Sequence, residues 1–224
     1  MTAKKKQVYV IRMTLNGSKP TIWRKLAVPS DITLGELHEV IQIAMGWTDS
    51  HLHQFVLQDK GLKPSPQEIA RRIRQDDFDG AFMDRMGGRR VFVTTVTPWG
   101  EPGEMEGEDE DAVTLVEVCP KAKSKLIYEY DFGDGWEHTI EVQKILEPES
   151  GVEYPVCLGG KKACPPEDCG GIWGYYELLD AIADPKHDRH DELREWLGGE
   201  FDPDAFDLEE VNAVLAQWRK HADE

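Results

Sequence analysis

The sequence has few basic residues and no long apolar run, and these two absences exclude several classes of protein. It contains 26 Lys and Arg against 43 Asp and Glu, so its formal net charge is −17. A strongly acidic chain is repelled by nucleic acids and by anionic membrane surfaces, so direct nucleic-acid binding is not expected. A membrane-spanning helix needs about 20 mostly apolar residues, and no such stretch occurs. The sequence therefore predicts no membrane partner.

Cysteine is also scarce, and the first residues do not have the pattern of a secretion signal. Arg12 interrupts the first apolar stretch, whereas a signal peptide needs about 7–15 uninterrupted apolar residues. The four cysteines are Cys119, Cys157, Cys164 and Cys169. In a long chain for which no leader is predicted, they are interpreted as reduced thiols or metal ligands. The sequence predicts a cytoplasmic protein without a disulfide framework.

Length and apolar content predict a single domain over residues 1–224. Hydrophobic residues make up 40% of the chain, enough to bury a core without a disulfide or a metal. Residues 58–112 are predicted to be an insertion. Within them, residues 101–111 hold seven acids and no base, which is typical of a mobile acidic loop. The alternative is that this stretch mimics a phosphate backbone and binds a basic protein partner.

Alternating apolar residues and turn signals predict two β-hairpins. Residues 7–15 and 21–28 flank Asn16-Gly17, a pair that is typical of a tight hairpin turn. The second hairpin joins residues 126–130 to residues 136–145 through a turn that contains two glycines. Its second strand alternates between apolar and polar side chains, which predicts one buried and one solvated face.

A helix and a helical C-terminal region complete the predicted architecture. Thr33 and Glu36 have the spacing of a capping box, and the apolar spacing that follows continues to Gly46. Two strands, a helix and a strand at 51–57 follow the element order of a β-grasp opening, in which the later strand pairs beside the first. Further helices are predicted at about 173–183, at about 189–197 and from Asp207 onward. The predicted class is α+β: a mixed sheet of β-hairpins crossed by a helix, with a C-terminal helical layer.

His51 and His53 are candidate metal ligands. Side chains repeat every second residue along a strand, so both imidazoles would lie on one side. Their Cα atoms would be about 6.5–7 Å apart, a span that one ion bridges. The alternative is that both histidines flank a hydrophobic strand and form hydrogen bonds with neighbouring carbonyl groups.

Asp131, Asp134 and His138 surround the turn of the second hairpin. Carboxylates with a nearby imidazole suit a hard metal ion or a general base. The alternative is structural, because Asp at the start of a turn caps backbone N–H groups and His138 near Trp136 can belong to the core.

Cys157, Cys164 and Cys169 form the sharpest chemical pattern in the sequence. Three thiolates and one His would complete a tetrahedral zinc site, with the fourth ligand supplied by His51, His53, His187 or His190. The spacing differs from the C-x2-C turns of zinc knuckles, so the alternative is three partly buried thiols in a glycine-rich loop. Cys119 lies in a separate apolar run and is expected to pack in the core.

Glu167 and Asp168 precede a predicted helix, where negative charge is favourable for the helix dipole. A structural cap is the simpler role for them. In an enzyme, either carboxylate would serve as a general base beside a bound metal.

Four blocks and the C-terminal tail resemble one protein family. The blocks are TIWRKLAVPSDITLGELHEVIQIAMGW at 21–47, HLHQF at 51–55, YEYDFGDGWEH at 128–138 and CLGGKKACPPEDCGG at 157–171. Together with the tail they cover roughly two thirds of the chain, and their combination is far more specific than any one short motif. They resemble the plasmid pRiA ORF-three-like family, which includes insertion-element passenger proteins of TnpR-like name. The stretch at 58–112 departs from the family pattern.

The resemblance implies a single α+β domain of bacteria and archaea, often encoded near mobile DNA, without a settled activity. The TnpR-like name suggests a resolvase, but a serine resolvase needs a basic DNA-binding tail and the C-terminal quarter here is acidic. We therefore expect a non-catalytic interaction or ligand-binding module associated with mobile elements, and an enzyme is the less favoured interpretation.

The alternative function is a metal-dependent, zinc-type hydrolase. It would gather His51, His53, Asp131, Asp134 and His138 around one ion, with Glu167 or Asp168 as the base. A shared site of either kind requires the segments 51–55, 128–138 and 157–171 to meet in space.

Overall fold

A single mixed sheet organises the part of the chain that the structure describes. This structure is a computed structural model, and it describes residues 6–58, 64–75, 87–95 and 105–222. These residues form eight strands and six α-helices, so the class is α+β, as predicted. In the described ranges, every helix is too short or too polar to cross a membrane.

The strands are β1 (Val8–Leu15), β2 (Trp23–Pro29), β3 (His53–Gln58), β4 (Arg89–Val93), β5 (Glu108–Asp109), β6 (Lys125–Tyr130), β7 (Trp136–Leu146) and β8 (Val156–Lys161). The α-helices are α1 (Leu34–Met45), α2 (Pro66–Gln75), α3 (Leu115–Val118), α4 (Gly171–Ala183), α5 (His190–Leu197) and α6 (Leu208–Ala222). A 3-10 helix spans Glu110–Ala112.

Both predicted hairpins are present at the centre of the sheet. β1 pairs antiparallel with β2, β6 pairs with β7, and β7 pairs with β1, which joins the two hairpins. The strand order is β5-β4-β3-β6-β7-β1-β2-β8, and only β4 and β5 are parallel. One predicted detail is wrong, because β3 does not pair beside β1. The free side of β1 is taken by β7, so β3 pairs with β6 and β4 instead.

The core lies between α1 and one face of the sheet. The inward-facing residues of β7 are all buried, as the alternation predicted: Trp136, His138, Ile140 and Val142. Helix α1 turns Leu34, Leu37 and Ile41 into the same core cluster. Burying one such aliphatic side chain contributes about 1.5–3 kcal/mol, so this helix–sheet contact is a major source of stability.

The predicted C-terminal helical layer consists of α4, α5 and α6. Asp207 caps α6 as expected, since its side chain accepts hydrogen bonds from the N–H groups of Glu209 and Glu210, both at 2.9 Å. Asn212 on α6 pairs with both backbone polar groups of Cys157, at 2.8 and 2.9 Å. β8 is an edge strand, and this contact satisfies backbone groups that would otherwise face solvent.

Part of the segment 58–112 belongs to the sheet. Within it, β4 pairs with β3, and β5 pairs with β4. Of the acidic stretch, residues 101–104 lie outside the described residues. Residues 105–111 are not a solvated loop throughout, because Glu110 is only 3% exposed and contacts His53. The assignment of this segment as an insertion stays a prediction.

The capping box that begins α1 generates the first testable prediction. Thr33 N–H donates to the Glu36 carboxylate at 2.8 Å, and Glu36 N–H donates to Thr33 Oγ1 at 3.1 Å. Thr33→Ala should lower the free energy of unfolding by about 1 kcal/mol, measured by urea denaturation, because it removes an N-cap acceptor. Glu36→Gln keeps an acceptor at the N3 position and should cost clearly less. An equal loss in both variants would contradict this account.

Candidate functional site

Three segments singled out by the sequence meet where β6 ends and β3 begins. The N–H of Asp131 donates to the carbonyl of Leu52 at 2.9 Å. Gly170 N–H donates to Asp134 Oδ2 at 3.1 Å, and the Trp47 indole N–H donates to the carbonyl of Pro165 at 3.1 Å. The predicted convergence of 51–55, 128–138 and 157–171 is therefore confirmed.

Glycine at position 171 is what allows two of these segments to touch. Its φ is +67°, in the region that L side chains rarely adopt, and a Cβ there would lie 2.3 Å from the carbonyl oxygen of Asp134. A side chain at this position would push the start of α4 away from the β6–β7 turn.

His51, Asp131 and Asp168 bring three potential ligand atoms together. His51 Nε2 lies 3.7 Å from Asp131 Oδ2 and 3.4 Å from Asp168 Oδ1, and the three atoms are all within 4.8 Å of one another. His51 Nε2 is buried and has no hydrogen-bond partner. The side chain of Asp131 is 8% exposed, and its Oδ1 accepts the N–H groups of Gly133 and Asp134. Those two bonds leave Oδ2 directed toward His51.

Both distances from His51 Nε2 are longer than a hydrogen bond, and the 3.4 Å to Asp168 is the separation of two ligands on one metal ion, while Asp131 lies slightly farther away. Hydrogen bonds from nitrogen to oxygen normally span about 2.7–3.2 Å. A tetrahedral ion with bonds of about 2.0–2.1 Å separates its ligands by about 3.3–3.4 Å. One imidazole and two carboxylates are ligands that zinc-type ions accept, and three protein ligands leave a position for solvent or a ligand.

A second group of titratable side chains lies deeper, between α1 and the sheet. Asp49 N–H donates to Gln42 Oε1 at 3.1 Å, and Gln42 Nε2 donates to the Tyr128 hydroxyl at 2.9 Å. The Tyr128 hydroxyl lies 2.8 Å from His38 Nδ1, and His38 Nε2 lies 2.9 Å from Asp49 Oδ1. The four contacts form a closed ring. The Asp49 N–H can only donate, which makes Gln42 Nε2 the donor to Tyr128. The Asp49 carboxylate can only accept, so a neutral His38 donates from Nε2 and accepts from the Tyr128 hydroxyl at Nδ1.

Burial keeps the two titratable side chains inside this ring neutral. It raises the pKa of Tyr128 well above its usual range, so the phenol retains the proton that it donates to His38. Burial also lowers the pKa of His38, against the opposite effect of the hydrogen bond to Asp49. If His38 also carried a proton on Nδ1, that proton would point at the hydroxyl proton of Tyr128, and the hydrogen bond between the two side chains would be lost. The ring therefore holds His38 as the tautomer with its proton on Nε2.

His53 stacks on His38 and completes this inner group. The ring centroids are 3.4 Å apart and the planes are 1° from parallel. His53 Nε2 lies 3.0 Å from both carboxylate oxygens of the buried Glu110. Although His38, Asp49 and His53 also bring ligand atoms within 4.8 Å, a metal bonds imidazole in the plane of the ring, and one ion cannot lie in two parallel planes. We interpret this group as a structural network.

The predicted pairing of His51 with His53 is thereby corrected. β3 begins at His53, so the strand alternation on which that prediction rested does not reach His51. His51 joins the outer group with Asp131 and Asp168, and His53 joins the inner group.

The other residues of the predicted hydrolase cluster lie apart from these ligand atoms. His138 is fully buried beside Trp47, with ring centroids 5.3 Å apart, and burial lowers its pKa to about 3. Asp134 caps the N–H of Gly170. Glu167 accepts hydrogen bonds from the hydroxyls of Thr48 and Tyr130. His138 therefore belongs to the core, as its structural alternative states, and Asp134 caps a backbone N–H, although in the 157–171 loop and not in its own turn. The predicted cap role of Glu167 is wrong, because the N-cap of α4 is Gly170, without a side-chain capping hydrogen bond.

The three predicted zinc-binding cysteines do not come together as a ligand set in the described residues. The thiols of Cys157 and Cys169 donate to backbone carbonyls two residues on, at 3.7 and 4.0 Å. Burial raises the pKa of Cys169 to about 12, and the Asp134 carboxylate acts in the same direction. Burial likewise raises the pKa of Cys157 and of Cys164. As expected, Cys119 is buried in the core.

The two remaining candidate fourth ligands are engaged within the C-terminal layer. His187 Nδ1 accepts the N–H of Arg189 at 3.2 Å, and His190 Nδ1 lies 2.7 Å from the carbonyl of Ala181. The Nδ1 atom of each histidine thus makes a local backbone contact.

Sequence reasoning missed the inner group, although one signal for it was present. His38 and Gln42 are four residues apart and lie on the apolar stripe of α1 that contains Leu34 and Met45. Polar side chains on a core-facing stripe must find buried partners, so their spacing indicates a buried network. The sequence contains no such signal for Glu110, because six other acids surround it in the stretch 101–111.

The hydroxyl of Tyr128 generates a stability prediction with an internal control. Tyr128→Phe leaves one nitrogen each of His38 and Gln42 buried without a partner, and each orphaned group costs about 1–3 kcal/mol. We expect the free energy of unfolding to fall by about 2–4 kcal/mol in urea denaturation. Tyr9 is equally buried, but its hydroxyl has no hydrogen-bond partner. Tyr9→Phe should therefore leave stability unchanged or raise it, and equal losses in both variants would contradict the ring.

The buried imidazole of His138 predicts a pH dependence of stability. Its folded pKa of about 3 lies below the unfolded value of about 6.5. The unfolded chain therefore takes up a proton first, and stability falls as the pH drops from about 6.5 toward 3. From pH 7 to pH 5 this one group should cost about 2 kcal/mol. Between pH 7 and pH 5, the free energy of unfolding of His138→Leu should therefore fall by about 2 kcal/mol less than that of the parent protein. His221→Leu, which changes an exposed histidine, should lose as much as the parent protein.

Comparisons with known proteins agree with the fold and assign a family. The model of the plasmid pRiA4b ORF-3-like protein family matches residues 7–210. An uncharacterized protein, y4hQ, of Sinorhizobium fredii is 34% identical over 217 residues, which are 95% of this chain and 94% of that protein. The crystal structure of MM3350, a protein of unknown function from Methanosarcina mazei Go1, is similar with a TM-score of 0.66 and 32% identity, covering 93% of this chain and 99% of that one. The chain belongs to the plasmid pRiA4b ORF-3-like family.

Proposed function

We propose that this protein is a non-catalytic ligand-binding module that takes a divalent, zinc-type metal ion at His51, Asp131 and Asp168. The observation that carries the proposal is the buried His51 Nε2, which has no hydrogen-bond partner and lies between two carboxylate oxygens at 3.7 and 3.4 Å. A buried polar atom without a partner is costly, and an ion between the three side chains would give His51 Nε2 a partner together with the two carboxylates that flank it.

The surroundings of the three side chains favour a cation. Asp134 and Glu167 bring further negative charge through the two loops that flank the site, and the protein as a whole carries −17. Negative charge of this kind raises the local concentration of cations. The backbone bonds to Asp131 Oδ1 also orient its carboxylate, as contacts behind a metal ligand commonly do.

The same surroundings favour binding over hydrolysis. A hydrolase needs a free base beside the metal-bound water. The two nearby carboxylates outside the ligand set are already engaged, Glu167 with Thr48 and Tyr130 and Asp134 with the N–H of Gly170. An ion at this site would hold a ligand in its open position.

Metal titration tests the proposal directly. Isothermal titration of the purified full chain with zinc chloride should give one equivalent per chain, and Co²⁺ should give a visible absorption band at the same stoichiometry. His51→Ala, Asp131→Asn and Asp168→Asn should each weaken zinc binding by at least about 10- to 100-fold, since even contacts behind a ligand matter that much. The matched control is His221→Ala, which removes an exposed histidine from α6.

Two results would overturn the assignment. One is a parent protein that binds neither ion at micromolar concentration. The other is a His51→Ala variant that binds zinc as tightly as the parent. Cys157→Ser and Cys169→Ser separate this site from the cysteine alternative, because both should keep the parent affinity. Circular dichroism of each variant confirms that a loss of binding does not reflect a loss of fold.

A further inference from the structure

Two tryptophans on neighbouring C-terminal helices face solvent. Trp173 on α4 is 84% exposed, and Trp196 on α5 is 47% exposed. Tryptophan carries the largest apolar surface of any side chain and is enriched at the centres of protein interfaces. Exposed apolar surface of this kind is typical of interaction sites.

A cleft of about 140 Å³ lies between the same two helices, beside the loop that carries Asp168. Leu178, Leu193 and Trp196 give it an apolar wall. Glu177 and Glu192 give it a negative rim. Trp173 and Glu177 are one helical turn apart on α4, so both point to the same side. The cleft thus combines an apolar wall, the indole of Trp196 and carboxylates, and Trp173 lies on the neighbouring surface of α4.

The charge of the cleft is negative even though it contains one arginine. Arg189 lies 2.6 Å from Glu177 and 2.8 Å from Glu192, so it neutralises only part of the three carboxylates that line the cleft. The contact of Arg189 with both glutamates also shows that the rim of the cleft accommodates a guanidinium group.

We propose that this surface docks a basic segment of another protein, with an Lys or Arg side chain inserted in the cleft. The long methylene stem of such a side chain packs on Leu193 and Trp196, as amphipathic side chains do. Its charged end meets the glutamates, and the exposed indoles offer cation–π contacts. The net charge of −17 draws basic partners toward the protein and repels acidic ones.

The proposal does not depend on metal binding, and its test keeps the two apart. Fluorescence anisotropy of a labelled peptide with four arginines separated by glycines is measured against the full chain in the presence of EDTA. The citrulline version of the peptide has nearly the same shape without the charge. We expect saturable binding of the arginine peptide that weakens with salt, and no binding of the citrulline peptide.

Variants of opposite effect locate the site. Trp196→Ala and Trp173→Ala should each weaken binding roughly fivefold, the size of an exposed cation–π contact. Arg189→Gln frees two glutamates and should strengthen binding by up to about fivefold. Its matched control is Lys220→Gln, which removes the same charge from the exposed end of α6 and should change affinity much less. Glu209→Gln removes an acid far along the chain from the cleft and should also be neutral.

Three outcomes would overturn the proposal. Equal binding of the two peptides would mean that charge is not recognised. Equal affinity in the parent and in both tryptophan variants would mean that the peptide binds the acidic surface at large. Finally, a self-associated protein that becomes monomeric in the tryptophan variants, by analytical ultracentrifugation, would assign the surface to a second copy of this chain.

Discussion

The closed ring of hydrogen bonds among Asp49, Gln42, Tyr128 and His38 is the constraint on which the rest of the site depends. It joins α1, the loop that follows α1 and strand β6 inside the core, where an unpaired polar group is costly. The ring closes only with His38 neutral and Tyr128 protonated, the states that burial favours. Together with Trp47, which stacks on Tyr130 at a centroid distance of 4.8 Å, it fixes the loop at 46–52 to the sheet.

The candidate metal site is built outward from this ring along a single strand. Tyr128 and Tyr130 are two residues apart on β6, so both point toward the core side. Tyr128 belongs to the ring, whereas the Tyr130 hydroxyl accepts the N–H of Ser50 at 3.1 Å and donates to Glu167. One strand thus holds the loop that carries His51 and the loop that carries Asp168. Asp131, which directly follows the strand, supplies the third candidate ligand atom.

The sequence allowed local structure to be predicted, but it left long-range pairing undetermined. The burial of Trp136 and Ile140 and the start of α1 at Thr33 follow from alternation and capping, which depend on neighbours within a few residues. The contact of His51 with Asp168 depends on how two distant loops pack, and no local pattern encodes that distance. Glu110 shows the same limit. A run of acids is typical of a solvated loop, and no local pattern indicates that one of them pairs with the buried His53 on β3.

Asp168 ties the two proposed sites together. Its carboxylate lies 3.4 Å from His51 Nε2 and also lines the cleft between α4 and α5. An ion that takes this carboxylate as a ligand withdraws negative charge from the cleft and weakens its attraction for a basic side chain. Because coupling free energies are reciprocal, a basic side chain in the cleft weakens metal binding by the same factor. A carboxylate shared in this way makes the metal and the basic partner competitors for the charge of one residue, although their binding positions differ.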